Sequence, residues 1–374
     1  MKLVLFANTD WYLYNFRRSL VAALRRAGHE VLLISPSGVF AAKLEELGFR
    51  WIAAPMNRRS LNPIRELLLI YWLYKVMRRE RPDIVHGFTI KCAVYGALAG
   101  RLTGAGRVSA VAGMGYVFTS NALKARLLRP LVRFLMRAVF GGTRARIILQ
   151  NPDDVQLFGK ARIVGMEQLR LIQGSGVDCS AFTPPIAQTA DQRPLCVLMA
   201  CRLLWDKGVA EYIDAARLLR GEGRDIQFVL AGAPDPGNPA SVPEERIAAW
   251  AAEGLVVWRG HILDMPALFA NADIVVLPSY REGLPKSLIE AAACARPLIT
   301  TDVPGCREVV THLVDGLLVP VGDAHALARA IAELQDDPAL ARRLGEAARR
   351  KALAEFDEKI VIARTFSVYD EVAA

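Results

Sequence analysis

The chain has 374 residues, 53% of them hydrophobic, and carries 47 Lys and Arg against 38 Asp and Glu, a formal charge of +9. That length and apolar content exclude a disordered or fibrous polypeptide and predict two globular domains. The charge is unevenly divided: residues 1–190 hold 27 Lys/Arg and 11 Asp/Glu (+16), residues 191–374 hold 20 and 27 (−7). An anionic partner is therefore expected for the first half alone, with nucleic acid, anionic lipid and a diphosphate as candidates.

The first half alternates strand and helix signals. Lys2–Ala7 reads as a short strand, Leu13–Ala27 as an amphipathic helix ended by Gly28, and His29–Ser35 as a strand. Ala41–Leu47 reads as a helix closed by Gly48, Trp51–Ala54 as a strand, and Pro63–Arg79 as a long helix stopped by Pro82. Strands follow at Asp83–His86, Arg144–Gln150 and Arg170–Ile172. Thr183–Pro194, with Pro184, Pro185 and Pro194 among polar residues, breaks the pattern and reads as a linker. The alternation then restarts: strands at Leu195–Ala200, Gln227–Ala231, Leu255–Arg259, Asp273–Pro278, Pro297–Thr300 and Gly316–Val319, with helices at Val209–Gly221, Pro243–Glu253, Met265–Ala270 and Pro285–Ala295 between them. Ala324–Glu355 reads as charged and helical, Phe356–Val372 as helical again. Such alternation predicts an α/β chain of two Rossmann-like, doubly wound domains with ligands at the carboxyl ends of their strands, facing a central cleft. The expected boundaries are 1–182, a linker at 183–194, and 195–355, followed by a C-terminal segment at 356–374.

The chemistry concentrates in Arg281–Cys294, R-E-G-L-P-K-S-L-I-E-A-A-A-C. Glu282 and Glu290 bracket a Gly-Leu-Pro-Lys turn after a strand. Glu290, among Leu288, Ile289 and alanines, is a carboxylate in an apolar helix and needs a partner: a core hydroxyl, an Arg, or the hydroxyls of a ligand. Sugar hydroxyls for the carboxylates, and a helix start for phosphate, suggest a sugar nucleotide. The string E-G-L-P-K-S-L-I-E-A resembles the E-x7-E motif of family 4 retaining glycosyltransferases, which have the GT-B fold. The resemblance implies that Glu282 contacts the donor sugar and Glu290 the ribose hydroxyls. It also implies that the backbone of Gly283, Leu284, Pro285 and Lys286 approaches the diphosphate and sugar. Its C-terminal counterpart is a helix at 356–374 that crosses back to the first domain.

A-C-R-L-L-W-D-K-G at Ala200–Gly208 follows a predicted strand. Arg202 and Lys207 at that strand's end suit a diphosphate leaving group, or are two surface cations. The segment resembles the family's G-R-L-x-x-x-K-G, with Cys201 in place of the usual Gly. A-G-A-P at Ala231–Pro234 resembles the turn beside the nucleoside, which singles out Gly232. W-R-G-H-I at Trp258–Ile262 resembles the loop that reads the base, which singles out Ile262. Both are equally compatible with ordinary β–α turns. A-G-M-G-Y at Ala112–Tyr116 departs from the family's H-G pair, and Gly113 and Gly115 are expected to let backbone approach the donor phosphates. His86, at a strand end, is expected to be structural rather than a replacement imidazole. V-A-G-M-G-Y-V-F, Asn15-Phe16-Arg17 and Q-N-P-D-D at Gln150–Asp154 resemble the capsular and lipopolysaccharide branch of the family, whose members extend a sugar on a lipid diphosphate. Asn15 and Arg17 are the acceptor-side candidates.

The dinucleotide fingerprint is absent after the first strand, where the chain reads F-A-N-T-D-W, which counts against a dehydrogenase. No D-x-D pair suits a divalent metal, so metal-independent transfer without a cofactor is expected, the nucleotide sugar being a co-substrate. Lys124, Arg126, Arg129, Arg133 and Arg137 within Ala122–Phe140, and Lys75, Arg78, Arg79 and Arg81 beside Tyr71, Trp72 and Tyr74, form basic faces with apolar flanks. They suit an anionic bilayer surface, and no nucleic-acid-binding signature accompanies them. The six cysteines form no C-x-x-C pair and no run reaches the ~20 apolar residues of a membrane span. A cytoplasmic protein peripheral on the inner face of the membrane is expected. The function expected is a retaining, UDP-sugar-dependent glycosyltransferase with a lipid-linked saccharide acceptor. Its rivals are a UDP-sugar 2-epimerase of the same architecture and a non-catalytic binding protein.

Overall fold

The structure, a computed structural model, describes residues 1–58, 60, 62–111, 134, 136–184 and 193–373. The chain divides into two compact units, Met1–Ser175 with Lys359–Ala374, and Gly176–Glu358.

The first unit is built on a parallel sheet of order β3-β2-β1-β4-β5-β6-β7. Its strands are β1 (Lys2–Phe6), β2 (Glu30–Ser35), β3 (Arg50–Ala53), β4 (Ile84–Phe88), β5 (Gly106–Ala110), β6 (Ala145–Leu149) and β7 (Leu169–Leu171). Central strands read as unbroken apolar runs because helices cover both faces; in β1, Leu3, Val4, Leu5 and Phe6 have no exposed surface. The order reverses between β1 and β4, which pair in register Leu5 to His86.

The sequence reading has no counterpart for the helix Ile90–Thr103 or for β5. That helix is buried on more than one side and contains two glycines, so it shows no amphipathic stripe. The glycines are packing devices: a Cβ on Gly100 would stand 3.0 Å from Arg107 Cγ, and one on Gly96 would stand 3.3 Å from Val85 Cγ1. The sequence reading also lacks the helix Pro152–Lys160, although its cap is legible. Asn151 accepts from the Asp154 N–H at 2.8 Å and Pro152 opens the first turn.

The second unit carries a parallel sheet of order β10-β9-β8-β11-β12-β13. Its strands are β8 (Leu195–Ala200), β9 (Ile226–Ala231), β10 (Val257–Trp258), β11 (Ile274–Leu277), β12 (Leu298–Thr301) and β13 (Leu317–Val319). Here the order reverses between β8 and β11. The single helical stretch read at Ala324–Glu355 is two helices, Ala324–Asp336 and Pro338–Lys351, followed by a wide turn at Ala352–Phe356. The break is local: Pro338 cannot continue a helix, and Asp337 caps the next one by accepting from the Leu340 N–H at 2.9 Å.

The units divide at Ser175/Gly176 and Glu358/Lys359, not at 182 and 355. Val177 explains the shift. Its N–H donates to Phe356 O at 3.0 Å and its carbonyl accepts from Glu358 N at 2.9 Å, and Cys179 and Phe182 join the second core. The linker read at 183–194 lies outside the described residues over 185–192. The terminal helix Glu358–Ala373 buries Val361, Thr365, Val368, Tyr369 and Val372 in the first unit. Its Glu371 accepts from Arg170 Nε at 2.9 Å and from Arg146 Nε at 2.5 Å. The two guanidinium groups hold that carboxyl below its ordinary range.

Candidate functional site

Open parallel sheets bind ligands where the strand order reverses, because neighbouring loops there splay to opposite sides. In the second unit that place lies beyond the ends of β8 and β11. Two turns that are distant in sequence meet there. After β8, the chain runs through Cys201–Leu204 into a short 3₁₀ turn, Trp205–Lys207, and then Gly208. Gly208 has φ +78°, and a Cβ on it would lie 2.1 Å from Pro278 O. Only glycine allows the Lys207 turn to press so closely on the end of β11. Tyr280 N donates to Asp206 O at 2.9 Å, which ties the second turn to the first.

The consequence is a short ion pair. Lys207 Nζ lies 2.6 Å from Glu282 Oε1, and Ser279 Oγ donates to the same oxygen at 2.7 Å. The two side chains are only 14% and 12% exposed. The loop after β12 closes the other side. Glu282 N donates to Pro304 O at 3.1 Å, and a Cβ on Gly305 (φ +88°) would come within 2.6 Å of Glu282 O. Thr300 Oγ1 donates to Leu277 O at 2.6 Å, and Thr301 Oγ1 donates to Ser279 O. Cys201 and Cys306 lie beside this pair, and burial pushes both thiols up to about 12, so they stay protonated.

Glu290 sits in the helix Lys286–Ala293 and is 7% exposed. Its partner is neither a core hydroxyl nor an Arg but Lys286, one turn earlier, whose Nζ lies 3.2 Å from Oε1. Burial raises the carboxyl above its ordinary range, and Lys286 opposes the rise. Pro285 stands at the N-cap rather than inside the first turn. A buried carboxylate whose ionisation is disfavoured gains from hydroxyl donors, which is the chemistry a ribose offers.

The two cations read together at the end of β8 have separate partners. Arg202 is largely exposed and its Nη1 lies 3.3 Å from Asp235 Oδ2, whereas Lys207 is held by Glu282. Gly232, at the end of β9, has φ +141°, and a Cβ there would sit 1.8 Å from Cys201 O. Its N–H donates to Gly260 O at 2.7 Å, and Trp258 Nε1 donates to its carbonyl at 2.9 Å. Ile262 is half-buried against the second core. The sequence reading did not single out Ser279, Asp235, Gly208 or Gly305. Gly208 ends the Ala200–Gly208 motif and Ser279 adjoins the other, so both were within reach of it, whereas Asp235 and Gly305 become visible only through strand order.

In the first unit, Asn15 donates from Nδ2 to Trp11 O at 3.0 Å. Arg17 is buried: Nη2 donates to Tyr12 Oη at 2.8 Å, and the guanidinium carbon lies 4.3 Å from the centre of the Phe88 ring. His86 is buried as well, with Nδ1 2.7 Å from Tyr369 Oη and its ring 4.0 Å from that of Phe88. Burial, and secondarily Arg17, hold this imidazole well below its ordinary pKa and therefore neutral. Gly113, Gly115 and the rest of the Ala112–Tyr116 loop lie outside the described residues, as do Lys124, Arg126, Arg129 and Arg133. Arg137 is described, and its Nε donates to Arg162 O. No described helix is long and apolar enough to cross a membrane.

Two parallel-sheet units, with a Lys–Glu pair and a buried helical carboxylate beyond the second unit's strand-order reversal, define the GT-B class of glycosyltransferases. The chain belongs to the glycosyltransferase family: its residues 185–351 match the family model "Glycosyl transferases group 1" and residues 2–149 match "Glycosyl transferase 4-like". It is 30% identical over 386 residues to the N,N'-diacetylbacillosaminyl-diphospho-undecaprenol alpha-1,3-N-acetylgalactosaminyltransferase of Campylobacter jejuni, covering 100% of this chain and 99% of that protein. It is 25% identical over 320 residues to the UDP-Gal:alpha-D-GlcNAc-diphosphoundecaprenol alpha-1,3-galactosyltransferase of Escherichia coli, covering 83% of this chain and 80% of that one. The fold is that of Anabaena HepE in complex with UDP and glucose, with a TM-score of 0.77 and 20% identity over 97% of this chain and 99% of that one. The Campylobacter and Escherichia relatives are glycosyltransferases that, by name, act on sugars carried by lipid diphosphates.

Proposed function

We propose that the chain is a retaining glycosyltransferase. It moves a sugar from a UDP-sugar to a saccharide carried on a lipid diphosphate, in the assembly of a cell-surface polysaccharide. The observation that carries this reading is the meeting of Lys207 and Glu282, 75 residues apart, at 2.6 Å beyond the β8/β11 reversal. The donor binds the second unit. Glu290 accepts from the ribose hydroxyls, Lys207 neutralises the diphosphate with Arg202 in support, and Glu282 holds Lys207 and orients the sugar. The backbone of Gly283–Lys286 lies along the diphosphate, and Gly232 and Ile262 border the nucleoside. As the bond between the anomeric carbon and the phosphate oxygen breaks, the acceptor hydroxyl attacks on the same face. Its proton passes to the departing phosphate oxygen, so no separate base is required. Charge stabilisation by Lys207 is assigned the role a metal takes in other transferases, and no cofactor is used.

The acceptor binds the first unit, with Asn15 on its side and Arg17 beneath as the support of Tyr12 and Phe88. The +16 charge of residues 1–190 supports a seat on an anionic, cytoplasm-facing membrane surface, with no nucleic acid as partner. Three measurements test the reading. UDP-sugars should raise the melting temperature of the chain. UDP release should require a lipid-linked saccharide, and NMR of the product should show the donor's anomeric configuration. A changed sugar formed without acceptor would identify an epimerase and overturn the proposal, and binding with no product would reduce the chain to a binding protein.

A further inference from the structure

The helix Pro63–Glu80 leaves an apolar stripe uncovered. Ile64, Leu67, Leu68 and Tyr71 are 69%, 67%, 61% and 55% exposed. Their spacing of three, one and three residues puts them on one face, where a soluble helix normally places charge. Next to the stripe is a cavity of about 540 Å³ at the carboxyl ends of β2 and β3, a volume in the range of ligand sites. Its wall includes Pro36, Ala54, Pro55 and Met56, and Leu68 belongs both to this wall and to the exposed stripe. Stripe and cavity therefore adjoin through Leu68, and the polar part of the cavity wall is Ser37, Asn57, Ser60, Arg65 and Glu66.

The electrostatics select an anion with a long apolar tail. Of the two carboxylates on this helix, Glu66 is paired with Lys91 at 2.8 Å. The other, Glu80, is buried against Lys2 at 3.0 Å and Arg50 at 2.8 Å, which hold it down at about 2. Glu66 is thus neutralised from outside the helix, and Glu80 by Lys2, Arg50 and the helix's own Arg79 at 3.1 Å, which leaves Arg65, Lys75 and Arg78 to set its outward charge.

We infer that this surface seats the isoprenoid chain of the lipid-diphosphate acceptor. The first isoprene units lie along Ile64, Leu67, Leu68 and Tyr71, and the diphosphate lies at the cavity beside Arg65. The inference rests on the acceptor class proposed above and assigns the lipid end of that acceptor to a place no motif marks.

A benzophenone-bearing polyprenyl diphosphate in detergent tests it. Photolysis should label a peptide within residues 62–74. Unlabelled polyprenyl diphosphate should compete, and phosphatidylglycerol vesicles should not. The double variant Leu67→Ser/Leu68→Ser changes exposed residues only and should abolish labelling. It should also raise KM at least ~10-fold for a long-chain acceptor, while KM for a short-alkyl saccharide diphosphate stays unchanged. Labelling elsewhere, or equal KM changes for both chain lengths, would overturn the inference. So would equal competition by vesicles, which would make the stripe a bilayer contact instead. Labelling of the helix with no sugar transfer to any lipid acceptor would keep the seat and refute the proposed reaction.

Discussion

Replacing Lys207 by Met, which has similar length and no charge, should damage activity far more than fold. Lys207 Nζ and Glu282 Oε1 are 2.6 Å apart, and both side chains are mostly buried. At an effective dielectric of about 20 their gross attraction is roughly 6 kcal/mol. Desolvation of both ions offsets most of it, so the net worth of the pair is smaller. Lys207→Met strands Glu282 with Ser279 as its remaining side-chain donor and should cost about 2–4 kcal/mol of stability in the second unit. Adding Glu282→Gln removes the stranded charge and should return about 1–3 kcal/mol, measurable as a coupling energy in urea titrations of the four proteins. Turnover should behave oppositely. Each single variant should lose at least ~10²-fold in kcat, the scale of one charge-stabilising donor, and the double variant should recover none of it. A Lys207→Met enzyme within ten-fold of wild type, or a double variant whose activity returns with its stability, would refute the assignment of Lys207 to the diphosphate.

Glu290→Gln should leave the unliganded chain equally or more resistant to urea at pH 7. The folded carboxyl is raised by burial, so its ionisation reduces stability as pH climbs above its unfolded value near 4.5. The same change should weaken UDP binding at least ~10-fold by calorimetry, through loss of the charged acceptor for ribose hydroxyls. His86 gives the opposite sign. Its folded pKa lies below the unfolded value of 6.5, so the unfolded chain takes up the proton first. Stability of the first unit should fall by about 1.4 kcal/mol per pH unit as pH drops below 6.5, and His86→Gln should flatten that slope. Gly208→Ala, with its Cβ directed at Pro278 O and φ at +78°, should cost about 3 kcal/mol or more in thermal or urea unfolding. A loss below ~1 kcal/mol would show that the two turns are not pressed together.

The sheet strands other than β5 were legible because parallel strands buried on both faces are short apolar runs; β5, Gly106–Ala110, carries Gly, Arg and Ser among its five residues and lacks that signal. The helix Ile90–Thr103 was not, because Gly96 and Gly100 and the lack of a polar face erase the periodic signal. The E-x7-E turn announced Glu282 and Glu290, and the strand-end position of Lys207 announced its charge. What spacing could not convey is pairing. That Glu282 takes Lys207, Arg202 takes Asp235 and Glu290 takes Lys286 follows from strand order and helix phase. Arg17 illustrates the same gap: its helix position is readable, but its burial beneath Tyr12 and over Phe88 depends on β4 lying beside β1.

The most direct test is a crystal structure with UDP bound. Ribose hydroxyls should lie within hydrogen-bond distance of the Glu290 carboxylate and the diphosphate within reach of Lys207 Nζ, beyond the ends of β8 and β11. A nucleotide bound elsewhere, or bound there with its ribose turned away from Glu290, would contradict this placement.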